Sequence, residues 1–244
     1  MLLYHGTTES AARAAIEKGL KPREAAGVES NWEACPSSPH HVYLTSAYAG
    51  YFAMASCKDG ERWAIIEIDS GKLEEKDLFP DEDFLEQASR SQELPEDWGI
   101  NGLSMDDRTA WFKNNLESFQ HLWKDSINHL GNCSHFGQIP PSAITKIAFI
   151  DPNECLQMTM LASDPMITIM NFKVCGNQYR AMTRWFIGEE VNAGEISSFL
   201  CDLPPEVAEK HPDVAQQMKD ERESYEEILS NRAGVEIINI GGEQ

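Results

Sequence analysis

The chain has 244 residues, with 20 Lys and Arg against 40 Asp and Glu, a formal charge of −20 at pH 7 and 41% hydrophobic residues. That is enough apolar material for one large domain or two small ones. It excludes a protein that coats nucleic acid through counterion release, because a surface this negative repels a phosphate backbone; an enzyme that admits one nucleotide or one terminus to a local basic cleft stays open. Of the 40 acids, 26 lie in the stretches Glu67 to Asp97 and Glu189 to Glu243, and they read as solvated faces. No apolar run approaches the roughly 18 residues of a membrane span, and Met1-Leu2-Leu3 passes straight into His5-Gly6-Thr7 rather than into a secretory segment. A soluble, non-exported, cytoplasmic protein is expected. The cysteines Cys35, Cys57, Cys133, Cys155, Cys175 and Cys201 are scattered without a CxxC pair, so reduced thiols are expected and no metal site.

In chain order, Leu2 to His5 reads as a short buried strand. Thr7 or Thr8 then caps a helix over Glu9 to Lys18, with Gly19 just past its end. A Pro, Ser and Gly-rich loop runs from Lys21 to Pro39. His41 to Thr45 is the next strand, Ser46 opens a helix over Ala47 to Ser56, and Trp63 to Asp69 is a third strand. The middle of the chain predicts two helices, one near Asp83 to Arg90 and one from about Arg108 to Ile127. Strand, turn and strand follow at Cys133 to Phe136, Pro140-Pro141 and Ile144 to Ile150. Beyond a boundary at Asp151 to Asp164, Met166 to Val174 and Gln178 to Phe186 predict a hairpin around Gly176-Asn177. A helix from about Val214 to Leu229 and a strand from Val235 to Ile240 close the chain. The expected class is α+β, in two parts: residues 1 to 151, and a C-terminal extension, 152 to 244, too small for a comfortable core of its own and therefore packed on the first.

No Walker loop, GxGxxG, HExxH or GxSxG occurs. Three spaced elements stand out instead: Leu3-Tyr4-His5-Gly6-Thr7; the helix end Lys18-Gly19-Leu20-Lys21-Pro22; and His41-Val42-Tyr43-Leu44-Thr45-Ser46, with Ala49 and Tyr51 behind it. This order resembles the ADP-ribosyltransferase fold of the poly(ADP-ribose) polymerase type, in which a strand ending His-Gly-Ser/Thr precedes a helix, a GL.P turn and a Tyr-bearing strand. Gly137 to Ile144, with Pro140-Pro141, and the run His40-His41-Val42 look like the RNA 2′-phosphotransferase branch of the same superfamily. The resemblance covers residues 1 to about 151.

The resemblance implies a split antiparallel sheet around an NAD cleft and a glycosyltransferase activity, transfer of ADP-ribose from NAD to a macromolecular acceptor, protein or nucleic acid, with release of nicotinamide. It implies His5, Gly6, Thr7, Tyr43, Thr45, Ser46 and Tyr51 as cofactor-binding residues, with Tyr43 and Tyr51 stacking the nicotinamide. The chemistry of the residues agrees. A His at a strand end followed by Gly offers a donor and acceptor to ribose hydroxyls, and an aromatic sandwich with a nearby carboxylate suits a bond that breaks through a cationic transition state. Read singly, His5, Tyr43 and Tyr51 are equally ordinary core residues.

The polymerase-type Glu before the closing turn is missing, since that stretch reads Gly131-Asn132-Cys133-Ser134-His135. Asn132, Ser134 or His135 replaces it, or an acid comes from Asp81 to Gln87, where Glu86 is favoured because Phe84 and Leu85 bury its neighbourhood. The catalytic set is therefore His5, Tyr43, Glu86 and His135. Two alternatives remain: an RNA 2′-phosphotransferase that uses NAD, drawing on Arg13, Arg23, Arg62 and Arg108, and a catalytically inactive module that binds a partner through its acidic surface.

Overall fold

A computed structural model describes residues 1–30, 36–58, 60–90, 95–162, 172–197 and 203–240, with the backbone alone for 172–175. The elements are β1 (Leu2–Thr8), α1 (Glu9–Lys18), α2 (Arg23–Ala26), β2 (His41–Thr45), α3 (Ala49–Ser56), β3 (Trp63–Asp69), β4 (Leu78–Pro80), α4 (Glu82–Ser89), α5 (Met105–Asn114), α6 (Trp123–His129), β5 (Asn132–Phe136), β6 (Ile144–Ile150), α7 (Leu156–Ala162), α8 (Phe172–Phe186), α9 (Ala193–Ile196), α10 (Pro205–Lys210), α11 (Pro212–Ser230) and β7 (Val235–Asn239). The class is α+β. The strands form one antiparallel sheet of seven, in the order β4-β5-β2-β1-β3-β6-β7.

The split expected in the sheet is a seam within one continuous sheet. β1 registers with β3 along its whole length, from Leu2↔Asp69 to Thr8↔Trp63, whereas its register with β2 is the single pair Tyr4↔Thr45. A side chain adds a second tie, because His5 Nδ1 lies 2.8 Å from the carbonyl oxygen of Tyr43. With one ladder pair across it, the sheet is free to open at this line.

Local signals account for the elements beside the seam. Thr8 Oγ1 accepts from the amide of Ala11 at 3.3 Å and so caps α1, which ends at Gly19 (φ 73°), whose amide donates to Ala15 O at 2.9 Å. The two turn motifs then meet: Leu20 and Ile139 exchange two backbone hydrogen bonds of 2.9 Å. Gly6 is required by packing, since a Cβ there would stand 2.1 Å from Ala49 O and 2.4 Å from Ala53 N, which seats α3 directly on β1.

Two core layers sandwich the sheet. One joins Leu3, Val42, Leu44, Ala64, Ile66, Cys133 and Phe149 beneath α1 and α6. The other unites Tyr4, Tyr48, Tyr51, Trp63 and Ile65 with Met158, Ala162, Tyr179, Met182, Trp185, Phe186, Ile196 and Leu229, so that α3, α7, α8, α9 and α11 share one interior across position 151. β7 extends the same sheet from Lys146↔Asn239 to Ile150↔Val235.

Several sequence expectations are overturned. The hairpin around Gly176-Asn177 is instead the helix α8, which takes in the end of the first predicted strand, Met166 to Val174, and all of the second; Met166 to Asn171 lie outside the described residues. The helix expected over Arg108 to Ile127 is broken into α5, a 3₁₀ turn (Leu116–Leu122) and α6; at the break Trp98 stacks on Trp111, and Phe112 and Phe119 pack edge-on against them. The short strand β4 was not foreseen. Among the described residues no helix is long and apolar enough to cross a membrane.

Candidate functional site

A cleft of about 710 Å³ opens at the seam, a size typical of small-molecule sites. β1 contributes His5, Gly6 and Thr7; β2 contributes His41 to Leu44; α3 contributes Tyr51 and Phe52; the start of α4 contributes Asp81, Glu82 and Asp83; and β5 contributes Asn132. Lys21 and Arg23, just after α1, bring positive charge to the same cleft.

His5 is held in one state. Its Nδ1 faces the carbonyl oxygen of Tyr43, which only accepts, so Nδ1 carries the hydrogen and Nε2 keeps its lone pair. Burial pushes its pKa below the ordinary value, against the pull of that carbonyl, so the ring is neutral at pH 7. Tyr43 is fixed through its hydroxyl, which accepts from the Ser38 amide at 2.9 Å and donates to Glu82 Oε1 at 2.7 Å. Burial, then the Glu82 carboxylate, raises this phenol well above its usual pKa. Tyr51, 6% exposed, packs its ring 5.5 Å from that of Phe52.

Glu82 and Asn132 carry the unusual chemistry. Each is 5% exposed, and Glu82 Oε2 and Asn132 Oδ1 are buried without a hydrogen-bond partner among the described residues. A buried acceptor in that condition costs about 1–3 kcal/mol, and more when charged, so two on one wall call for an explanation. Burial raises the Glu82 carboxyl above the usual carboxylate range although Tyr43 donates to it. Asp81, raised well above by burial and by the neighbouring Asp83 and Glu82, caps α4 by accepting from the Asp83 amide at 2.9 Å.

Of the predicted site residues, His5, Gly6, Thr7, Tyr43 and Tyr51 are brought together in the cleft. Glu86 does not line it. One turn below Glu82, it is 2% exposed and clasped by Arg90 Nε at 2.8 Å and Arg108 Nη2 at 2.5 Å; burial raises its pKa, but the two guanidinium groups outweigh this and hold it low. The carboxylates that line the cleft are Glu29, Asp81, Glu82 and Asp83, and the one that Tyr43 bonds is Glu82. The sequence held a signal for it, because Asp81 as cap makes Glu82 the first helical residue, at the mouth of α4. His135 does not line the cleft either. It registers with Val42 and Leu78, which belong to the core beneath α1 and α6, and burial lowers its pKa.

Thr45 and Ser46 are also placed elsewhere. Thr45 Oγ1 donates to Gly131 O and accepts from the amides of Ala47 and Tyr48, which shapes the turn into α3. Ser46 faces a separate depression of about 270 Å³ beside Tyr4, Arg180 and Arg184. Of the arginines considered for phosphate, only Arg23 lines the cleft: Arg13 and Arg62 pair with Glu9, and Arg108 pairs with Glu86.

No protein-family model matches the chain, and no curated protein does. A solved structure named EcPltA aligns with 61% of this chain and 75% of its own length, at 9% sequence identity and a TM-score of 0.32, a likeness too slight to carry an argument about what this chain does.

Proposed function

We propose that the cleft binds NAD and that the chain transfers ADP-ribose to a macromolecular acceptor. The observation that carries this reading is the gathering of His5, Tyr43, Tyr51 and a buried, incompletely bonded carboxylate, Glu82, in one cleft. The polar groups suit the dinucleotide: an accepting imidazole nitrogen at His5, the Thr7 hydroxyl, two aromatic rings, two cations and two acceptors awaiting donors. When bound, NAD supplies a ribose whose bond to nicotinamide is ready to break.

The chain's own residues do the rest. His5 Nε2 accepts from a ribose hydroxyl, and its Nδ1–H, anchored on Tyr43 O, keeps the ring from turning. Lys21 and Arg23 offset the pyrophosphate charge. Tyr43 and Tyr51 present ring faces to the leaving nicotinamide, and the Ser38 and Glu82 hydrogen bonds fix the first of them. Glu82 places negative charge where positive charge develops, and its raised pKa suits a group that receives a proton from the acceptor.

The test is incubation with NAD labelled in its adenylate half, reading label on macromolecules and free nicotinamide together. Label on an acceptor, at least about 100-fold reduced in Glu82→Gln as for loss of a general base, is the expected result. Label transfer that needs no Glu82, or nicotinamide release only when 2′-phosphorylated RNA is added, would overturn the reading, the second in favour of phosphate removal.

A further inference from the structure

The seam has a second end. β1 and β2 run antiparallel through their single pair, Tyr4↔Thr45. The cleft takes β1 from His5 onward and β2 up to Leu44, and the depression of about 270 Å³ takes Leu2 and Tyr4 on β1 and Ser46 just after β2. α6 adds Ile127 and Asn128, and α8 adds Arg180 and Arg184, one turn apart on one stripe.

Tyr4 gives this depression its chemistry. It is 6% exposed and packed in the core with Tyr51 and Trp63, yet its hydroxyl has no hydrogen-bond partner among the described residues and is not one of the buried atoms sealed from solvent. A phenol buried to that extent ordinarily finds a partner. The hydroxyl is therefore open to whatever enters the depression that Tyr4 lines. Burial, then the Glu67 and Glu189 carboxylates, hold the phenol above its usual pKa, so its hydrogen is there to donate.

Charge and donor count select the ligand. Two arginines and no acid line the depression, whereas four carboxylates line the cleft. Of the acids whose charge reaches Tyr4, Glu189 is held by Arg184 at 2.7 Å, and Glu67 accepts from Thr145 Oγ1 at 2.7 Å with Lys146 3.8 Å away. Arg184 is committed to Glu189 and Glu195. Arg180 donates to Ser46 Oγ and Asn177 Oδ1 at 3.4 Å each, long bonds to neutral oxygens, for which a charged oxygen is the stronger partner. Donors from three separate segments, Tyr4, Ser46 and Arg180, suit a tetrahedral oxyanion better than a carboxylate, whose two oxygens share one plane. Leu2 and Ile127 add apolar sides, and the space is wider than a bare ion needs, so the ligand carries a small body.

We propose that this depression is a second ligand site, which binds the phosphate group of a small phosphate ester through the Tyr4 and Ser46 hydroxyls and the Arg180 guanidinium. Held by Tyr4 and Ser46, the phosphate ties β1 to β2 on the side of their one ladder pair away from the cleft. The site stands whether or not the cleft takes NAD.

Calorimetric titration of the full chain with glycerol 3-phosphate, in the absence of NAD, tests the site. The ester should saturate; inorganic phosphate should bind several-fold more weakly, and glycerol and acetate at least about 10-fold more weakly. Arg180→Gln should lose about 10-fold, and Tyr4→Phe, which removes the hydroxyl and keeps the ring, several-fold, in variants whose circular dichroism and unfolding midpoints show them folded. Arg23→Gln, in the cleft, should bind the ester as the parent does. No saturation, acetate binding as tight as the ester, or unchanged binding in either Arg180→Gln or Tyr4→Phe would overturn the proposal. Loss in Arg23→Gln alone would overturn it in favour of the cleft, and equal affinity for the ester and inorganic phosphate would overturn the ester.

Discussion

Glu82 and His41 show how burial of a single ionisable residue bears on stability. Glu82 is a carboxylate kept from water with one oxygen unmatched, so Glu82→Gln, which retains an oxygen for Tyr43, relieves a cost. Urea unfolding at pH 8 should find this variant as stable as the parent or more so; a loss above about 1 kcal/mol would contradict that account. His41 acts on the acid side. Burial, with the nearby His135 and His40 charges, pushes it down to about 4. An unfolded histidine titrates near 6.5, so between those values the unfolded chain binds a proton that the folded chain refuses. The stability due to neutral His41 is complete above pH 6.5 and is lost as pH falls towards 4, up to about 3 kcal/mol for the full shift. Asp81 and Glu82 have the opposite sign: their raised pKa values stabilise the fold below the ordinary carboxylate range, and that stability is lost as pH rises. His41→Gln should therefore lose less stability than the parent between pH 7 and 4.5 by urea unfolding, and equal losses would refute the assignment.

At the scale of elements, α1 and the strands other than β4 were legible because their signals are local: a Thr cap, a Gly stop, and runs such as Trp63 to Asp69 that are buried on both faces. α8 misled because Gly176-Asn177 has the chemistry of a tight turn, yet Tyr179, Met182 and Phe186 fall at helical spacing and are buried together. Packing of that stripe outweighs the roughly 1 kcal/mol that a glycine costs inside a helix. Glu86 misled for a similar reason. Its burial was legible from Phe84 and Leu85, and so by spacing was its partner Arg90, four residues on at the end of α4, but Arg108 of α5 is a long-range partner that no spacing announces. The contact of α3 with β1 makes a further prediction. Gly6→Ala forces a methyl into the backbone of Ala49 and Ala53, with no flexible side chain to give way, and should cost about 3 kcal/mol or more by urea unfolding. A change under 1 kcal/mol would mean that α3 does not sit this close.

Across the whole molecule, the residues after 151 complete the interior of those before it. Trp185, 1% exposed, sits in the core that contains Tyr4, Tyr51 and Trp63, and its Nε1 donates to Leu229 O at 2.9 Å. Trp185→Ala should cost about 3–5 kcal/mol and shift one cooperative transition as a whole. A separate early transition that leaves residues 1 to 151 untouched would contradict a shared core. The same interior carries Tyr51 to the cleft wall, so the extension supports the site through packing. That support was not visible in the sequence, because it depends on helices far apart in the chain meeting over one face of the sheet.

The central claim is that the seam between β1 and β2 is a dinucleotide site, and calorimetric titration of NAD tests it most directly. The account predicts saturable one-to-one binding, weakened at least about 10-fold in His5→Ala and in Tyr43→Ala through loss of a ribose acceptor and of a stacking face. In Glu82→Gln the binding should survive within a few-fold, because that carboxylate serves the reaction more than the bound state. Absence of saturable binding, or binding indifferent to both His5 and Tyr43, would contradict it.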